Sequence, residues 1–148
     1  MRFIGIDPGE SGGIAAIDAH GTAIFACPTP ESDENVLEMV TGADFAALER
    51  VWSSPGWGHA GAFTFGTSYG RLRMALAAKK VMRVTVLPRT WQKVVGVTYP
   101  KKAPKVEKKN ISKARAKELF PETRITHAIA DALLIAEYAR RLYQSLQA

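Results

Sequence analysis

The stretch FIGIDPGESGG, residues 3–13, runs from an apolar strand through a carboxylate into a glycine turn. Phe3, Ile4 and Ile6 suit a buried strand. Pro8, Gly9, Gly12 and Gly13 suit a turn. Asp7 stands between the two. An Asp-Pro-Gly turn accounts for it, and so does a carboxylate aimed out of a core strand to do chemistry. Partners elsewhere in the chain must decide.

Outward from this turn, residues 13–18 and 23–27 are two more short apolar runs, separated by the turn DAHG. With the first strand they predict an antiparallel meander. Residues 31–40 read as a short helix, with Pro30 and Glu31 near its start and Thr41-Gly42 at its end. FAALERVW, residues 45–52, reads as a strand carrying Glu49, and SSPGWGHAGA after it as a glycine-dense loop. A helix is expected from Ser68 onward. MRVTVL, residues 82–87, is a strand, and PRTWQKVV, residues 88–95, opens a helix on a proline. TYPKKAPKVEKKN, residues 98–110, holds two prolines and five lysines and is expected to be a mobile basic loop. Helices over 111–120 and 126–146 follow, divided by Pro121. Strands first, then strands alternating with helices, give an α/β class with a mixed sheet flanked by helices.

A chain of 148 residues is one domain's worth, so residues 1–148 are taken as a single unit. No apolar run approaches the roughly 20 residues of a membrane span. The start MRFIGIDPG lacks the pattern of a secretory signal. Cys27 is the lone cysteine, and no Cys/His spacing resembles a zinc site. Together these lead to the expectation of a cytoplasmic protein that does not associate with membranes. The net charge of +6 favours a polyanionic partner. It is concentrated in Lys101, Lys102, Lys105, Lys108, Lys109, Lys113, Arg115 and Lys117, with Glu107 the one acid among them. Such a cluster is a phosphate-contacting arm or a solvated surface.

Three acids occupy costly places. In the last helix Leu134, Ile135, Tyr138 and Leu142 share an apolar face, and one turn back the same face holds Asp131, with His127 a turn before it. Glu137 falls off that face and reads as a solvated surface charge. Glu49 interrupts an apolar strand just before a glycine-rich loop. Singly, Asp131 could cap its helix, His127 could be half-buried and Glu49 could lie on an exposed edge. Taken together, carboxylates that repel one another need cations, and hard oxygen ligands suit Mg²⁺. Two such ions about 3.5–4 Å apart activate water and stabilise a leaving oxygen. With a basic arm beside them, the pattern is that of a metal-dependent nuclease.

The ordered set GIDPG, an apolar strand ending in Glu, and ADALLIA on the final helix resembles the RuvC-like Holliday junction resolvases. ERVWSSPGWGHAGAFTFGTSYGRLRMALAA, VLPRTWQKVVGV and KARAKELFP resemble their bacteriophage-encoded branch, although Trp57 stands where that branch has glutamine. The resemblance implies a ribonuclease H-like fold, with a five-stranded mixed sheet flanked by helices, and a homodimer. It implies a catalytic and metal-binding cluster of Asp7, Glu49, His127 and Asp131, holding two Mg²⁺ that Mn²⁺ can replace. Histidine at 127, where aspartate is common, makes that residue a ligand or a proton acceptor. The implied activity is paired, symmetric nicking of four-way DNA junctions, leaving 5′-phosphate and 3′-hydroxyl ends. Trp52 would stack on unpaired bases, and Lys101, Lys102, Lys105, Lys108, Lys109, Lys113 and Arg115 would contact DNA. Phe63 and Phe65 are expected to pack. A broader debranching nuclease and a non-catalytic junction binder remain as alternatives. GIDPGESGG also resembles a phosphate loop of actin-like ATPases, but those need two lobes.

Overall fold

The computed structural model describes residues 1–148. Five strands, β1 (Arg2–Ile6), β2 (Gly13–Asp18), β3 (Ala23–Pro28), β4 (Phe45–Glu49) and β5 (Met82–Val86), form one sheet in the order β3-β2-β1-β4-β5. The meander β1-β2-β3 is antiparallel, whereas β1, β4 and β5 run parallel. Helices α1 (Asp33–Val40), α2 (His59–Ala78), α3 (Pro88–Val95), α4 (Lys105–Leu119) and α5 (His127–Gln147) complete the fold. No helix is long and apolar enough to cross a membrane.

Strand alternation sorts the core into two layers. Ile4, Ile6, Ile14, Ala16, Ala46 and Leu48 face one side and pack on Val36, Val40, Leu72 and Leu76 of α1 and α2. Phe3, Ala15, Ile17, Phe45 and Ala47 face the other, beneath α5, with Trp91 and Val95 of α3 and Ala116 of α4 in the same cluster. Gly5 belongs to this second face. A Cβ there would run into the backbone of Ala132 and Ala136, so its absence lets α5 lie directly on β1.

Some elements differ from expectation. Strand β4 ends at Glu49, and α2 begins at His59 rather than Ser68, taking in part of the glycine-dense segment. The stretch 98–110 is not loop throughout: from Lys105 it is the start of α4, with Pro104 as its N-cap. Proline fits just outside a helix, where its missing N–H costs nothing. The last helix is apolar nearly all round, since Ile129 through Ala139 are buried apart from partly buried Asp131. Glu137 is therefore no surface charge: it is 4% exposed and takes hydrogen bonds from both Arg140 and Arg141. Phe63 is 76% exposed rather than packed. Phe65 is partly buried and lies 4.8 Å from the Trp57 ring.

Candidate active site

Asp7 follows β1 directly, and its backbone exchanges both hydrogen bonds with Gly13, at 3.0 and 3.1 Å. One carboxylate oxygen, Oδ1, accepts the Gly9 N–H at 3.1 Å. Gly12 has no room for a Cβ, which would meet the Asp7 carbonyl, so the turn needs glycine there. The β1–β4 register pairs Ile6 with Leu48. One step further it sets Asp7 beside Glu49, and both fall on the face covered by α5. There Asp131 lies one residue before Ala132, whose carbonyl packs over Gly5.

The three acids are near enough to feel one another's charge. Burial raises the Asp7 carboxyl above its ordinary value, while the Gly9 N–H and the Lys109 charge pull it down. Glu49 is pushed up to about 8, by burial first and then by the charges of Asp7 and Asp131, against a hydrogen bond from Trp91. Asp131 is raised to about 6 by burial and by Asp7, while the Ser112 hydroxyl and Lys109 oppose the shift. Asp131 Oδ1 is buried with no hydrogen-bond partner. A buried, unpaired carboxylate oxygen costs roughly 1–3 kcal/mol or more.

Three carboxylates face one nearby positive charge, that of Lys109. No three His, Cys, Asp or Glu side chains are drawn together into a ready ligand shell. The donor chemistry nonetheless fits a hard divalent cation: three carboxylates, mutual repulsion, and an orphaned oxygen.

The remaining sequence-nominated residues are distributed as follows. His127 opens α5 one turn before Asp131, is exposed, and has Nε2 2.9 Å from Asn110 Oδ1 rather than on a carboxylate. Lys109 is the basic residue whose charge reaches the acids, and its Nζ lies 3.4 Å from Ser11 Oγ in the glycine turn. Lys101, Lys102, Lys105 and Lys108 are exposed, and Lys113 is partly so. Arg115 is occupied in the fold, donating to the Val95 carbonyl at 2.7 Å and to Glu118 at 2.7 Å. Trp52 is 55% exposed with the Arg50 guanidinium 4.2 Å from its ring centre.

Three residues of the site carried no sequence signal of that role. Trp91 donates its indole N–H to Glu49 Oε1 at 2.8 Å. Ser112 is buried and hydrogen-bonded to Tyr99 at 2.8 Å. Burial raises the Tyr99 hydroxyl against its hydrogen bond with Ser112, and the charges of Asp131 and Glu49 add to the rise. All three read as ordinary helix or loop residues until the helices are laid on the sheet.

Compared with known proteins, the chain superposes on the Thermus thermophilus RuvC structure with a TM-score of 0.71 at 18% identity, covering 99% of this chain and 97% of that one. The fold is RuvC-like. T. thermophilus RuvC in complex with Holliday junction substrate matches equally well, with a TM-score of 0.71 at 17% identity over 99% of this chain and 96% of that one. The α/β expectation is met: the RuvC-like, ribonuclease H-like architecture has its five-stranded mixed sheet between helices. No protein-family model matches the chain, and no curated protein sequence matches it.

Proposed function

We propose that this protein is a divalent-metal-dependent, structure-selective endonuclease that resolves four-way DNA junctions as a homodimer, of the bacteriophage type. The observation that carries the proposal is the placing of Asp7, Glu49 and Asp131, at the ends of β1 and β4 and on α5, toward one face of the sheet, each raised by burial and the latter two also by the charge of Asp7. Support comes from the full-length likeness to a RuvC held with Holliday junction substrate. Lys109, whose charge reaches Asp7 and Asp131, and the exposed Lys101, Lys102, Lys105 and Lys108 would receive the DNA backbone.

In this proposal Asp7, Glu49 and Asp131 hold Mg²⁺, two ions per site, with Mn²⁺ as a substitute. When bound, the metal activates water and stabilises the leaving oxygen. His127, oriented by Asn110, ligates or takes the proton of the attacking water. Lys109 neutralises a phosphate as it nears the acids, and the exposed lysines fix the backbone. Trp52 stacks on a base freed at the branch, an interaction worth about 1–3 kcal/mol. Attack on phosphorus with departure of the 3′ oxygen leaves 5′-phosphate and 3′-hydroxyl ends. Each chain holds one acid cluster, so paired nicks on two opposed strands require a second copy. Such an enzyme would act in the cytoplasm of a bacterial host.

The test is cleavage of a labelled immobile four-way junction beside duplex, flap and three-way controls, with Mg²⁺, Mn²⁺ or EDTA. Paired, ligatable nicks confined to the junction, abolished by EDTA and by Asp7→Asn or Asp131→Asn, are expected. Equal cutting of every branched control would make it a debranching nuclease. Binding without cutting in any metal would overturn the catalytic role of the acids.

A further inference from the structure

We infer that Trp91 is a positioning residue for metal binding: its buried indole N–H fixes Glu49 Oε1 so that the other carboxylate oxygen is presented to the ion. The inference takes the acid cluster to be the metal site proposed above, and concerns a residue outside that cluster.

Several observations converge on Trp91. It is 1% exposed, and a buried indole N–H requires an acceptor. A backbone carbonyl would satisfy it more simply. Instead it donates to Glu49 Oε1 at 2.8 Å across a sequence separation of 42, the sole side-chain hydrogen bond made to Glu49. Oε1 is thereby held toward α3.

The donor is also rigidly held. Pro88 starts α3 immediately after β5, which places Trp91 in the first turn of the helix, under the end of β4. At the far end Gly96 closes α3 in the left-handed conformation, and Arg115 and Arg141 donate to the Val95 and Val94 carbonyls at 2.7 and 2.9 Å. An outer hydrogen bond on a ligating carboxylate sets its orientation, and removing one costs about 10- to 100-fold in metal affinity or activity.

The experiment measures Mn²⁺ binding to the DNA-free protein by electron paramagnetic resonance, then junction kcat and KM. The proteins are wild type, Glu49→Gln, Trp91→Phe, and the full chain carrying benzothienylalanine at position 91. The last keeps the bicyclic shape and lacks only the N–H, so it separates the hydrogen bond from packing if Trp91→Phe fails to fold. The N–H-less proteins are expected to melt as folded domains, to bind Mn²⁺ about 10- to 100-fold more weakly, and to keep the junction KM while kcat falls. Wild-type Mn²⁺ affinity with benzothienylalanine, alongside a loss in Glu49→Gln, would overturn the role of Trp91 alone. If Glu49→Gln itself bound Mn²⁺ like wild type, the metal site proposed above would fall, and this inference with it.

Discussion

Asp7 and Glu49 hold the same parity in their strands: Phe3, Gly5 and Asp7 alternate with Ile4 and Ile6, as Phe45, Ala47 and Glu49 do with Ala46 and Leu48. That parity is present in the sequence, and it sends both acids toward α5. Their coupling has a consequence for stability. Glu49 and Asp131 lie above their ordinary values, at about 8 and about 6. The native state therefore keeps protons that the unfolded chain has released, and stability falls as pH rises through this window. In EDTA the melting temperature should drop between about pH 5 and about pH 8. Glu49→Gln should flatten the upper part of that decline, and Mg²⁺ should remove it from the wild type. Each 1 kcal/mol recovered is worth roughly 2–4 °C in a chain of this size, which scanning fluorimetry resolves. A pH-independent melt in EDTA would contradict the coupling. Lys109, Trp91 and Ser112 were not legible in this way, because no periodicity marks a residue whose partner lies on another element.

Among the elements, those with a clean period were read correctly and those built by context were not. Helix α2 carries Gly61, Gly66 and Gly70, which weaken its intrinsic preference, yet Leu72 and Leu76 dock it on the sheet. Helix α4 begins in a segment where prolines and like charges argue for loop, and its Ser112 and Ala116 are buried in the fold. For α5 the error was to count a single apolar stripe on a helix surrounded by protein, which misassigned Glu137. Two substitutions test this layer. Gly5→Ala should destabilise by about 1–3 kcal/mol or more, because the added methyl has only backbone to push against. Glu137→Ala removes the acceptor that two partly exposed guanidinium groups share and should cost about 1.5–3 kcal/mol. Urea melts read both, and losses below 0.5 kcal/mol, about the size expected of a surface change, would contradict the packing described.

At the scale of the whole molecule, Asp7 and Glu49 stand at the ends of two parallel strands, and of the α4 lysines Lys109 reaches the acids. Lys105→Ala combined with Lys108→Ala should weaken binding to every branched DNA alike. It should reduce the slope of log affinity against log salt by about 2, since both residues are exposed. A selective loss on one substrate would mean that they read shape rather than phosphate. The fold class was legible in the sequence, while the layout of the basic surface was not. Of the nominated cations, Arg115 serves α3 and Lys109 serves the acids. The Glu137 cluster bears on the same geometry from a distance. Arg140 extends to the Ala19 carbonyl in the β2–β3 turn and Arg141 to the Val94 carbonyl in α3, at 3.4 and 2.9 Å. These two arms index α5 like a keyed shaft, fixing its angular setting as well as its depth. A slip of one residue would rotate the helix by about 100° and swing Asp131 off the sheet. The bearing of the Asp131 carboxylate is thus set six residues away, by a carboxylate that never meets it.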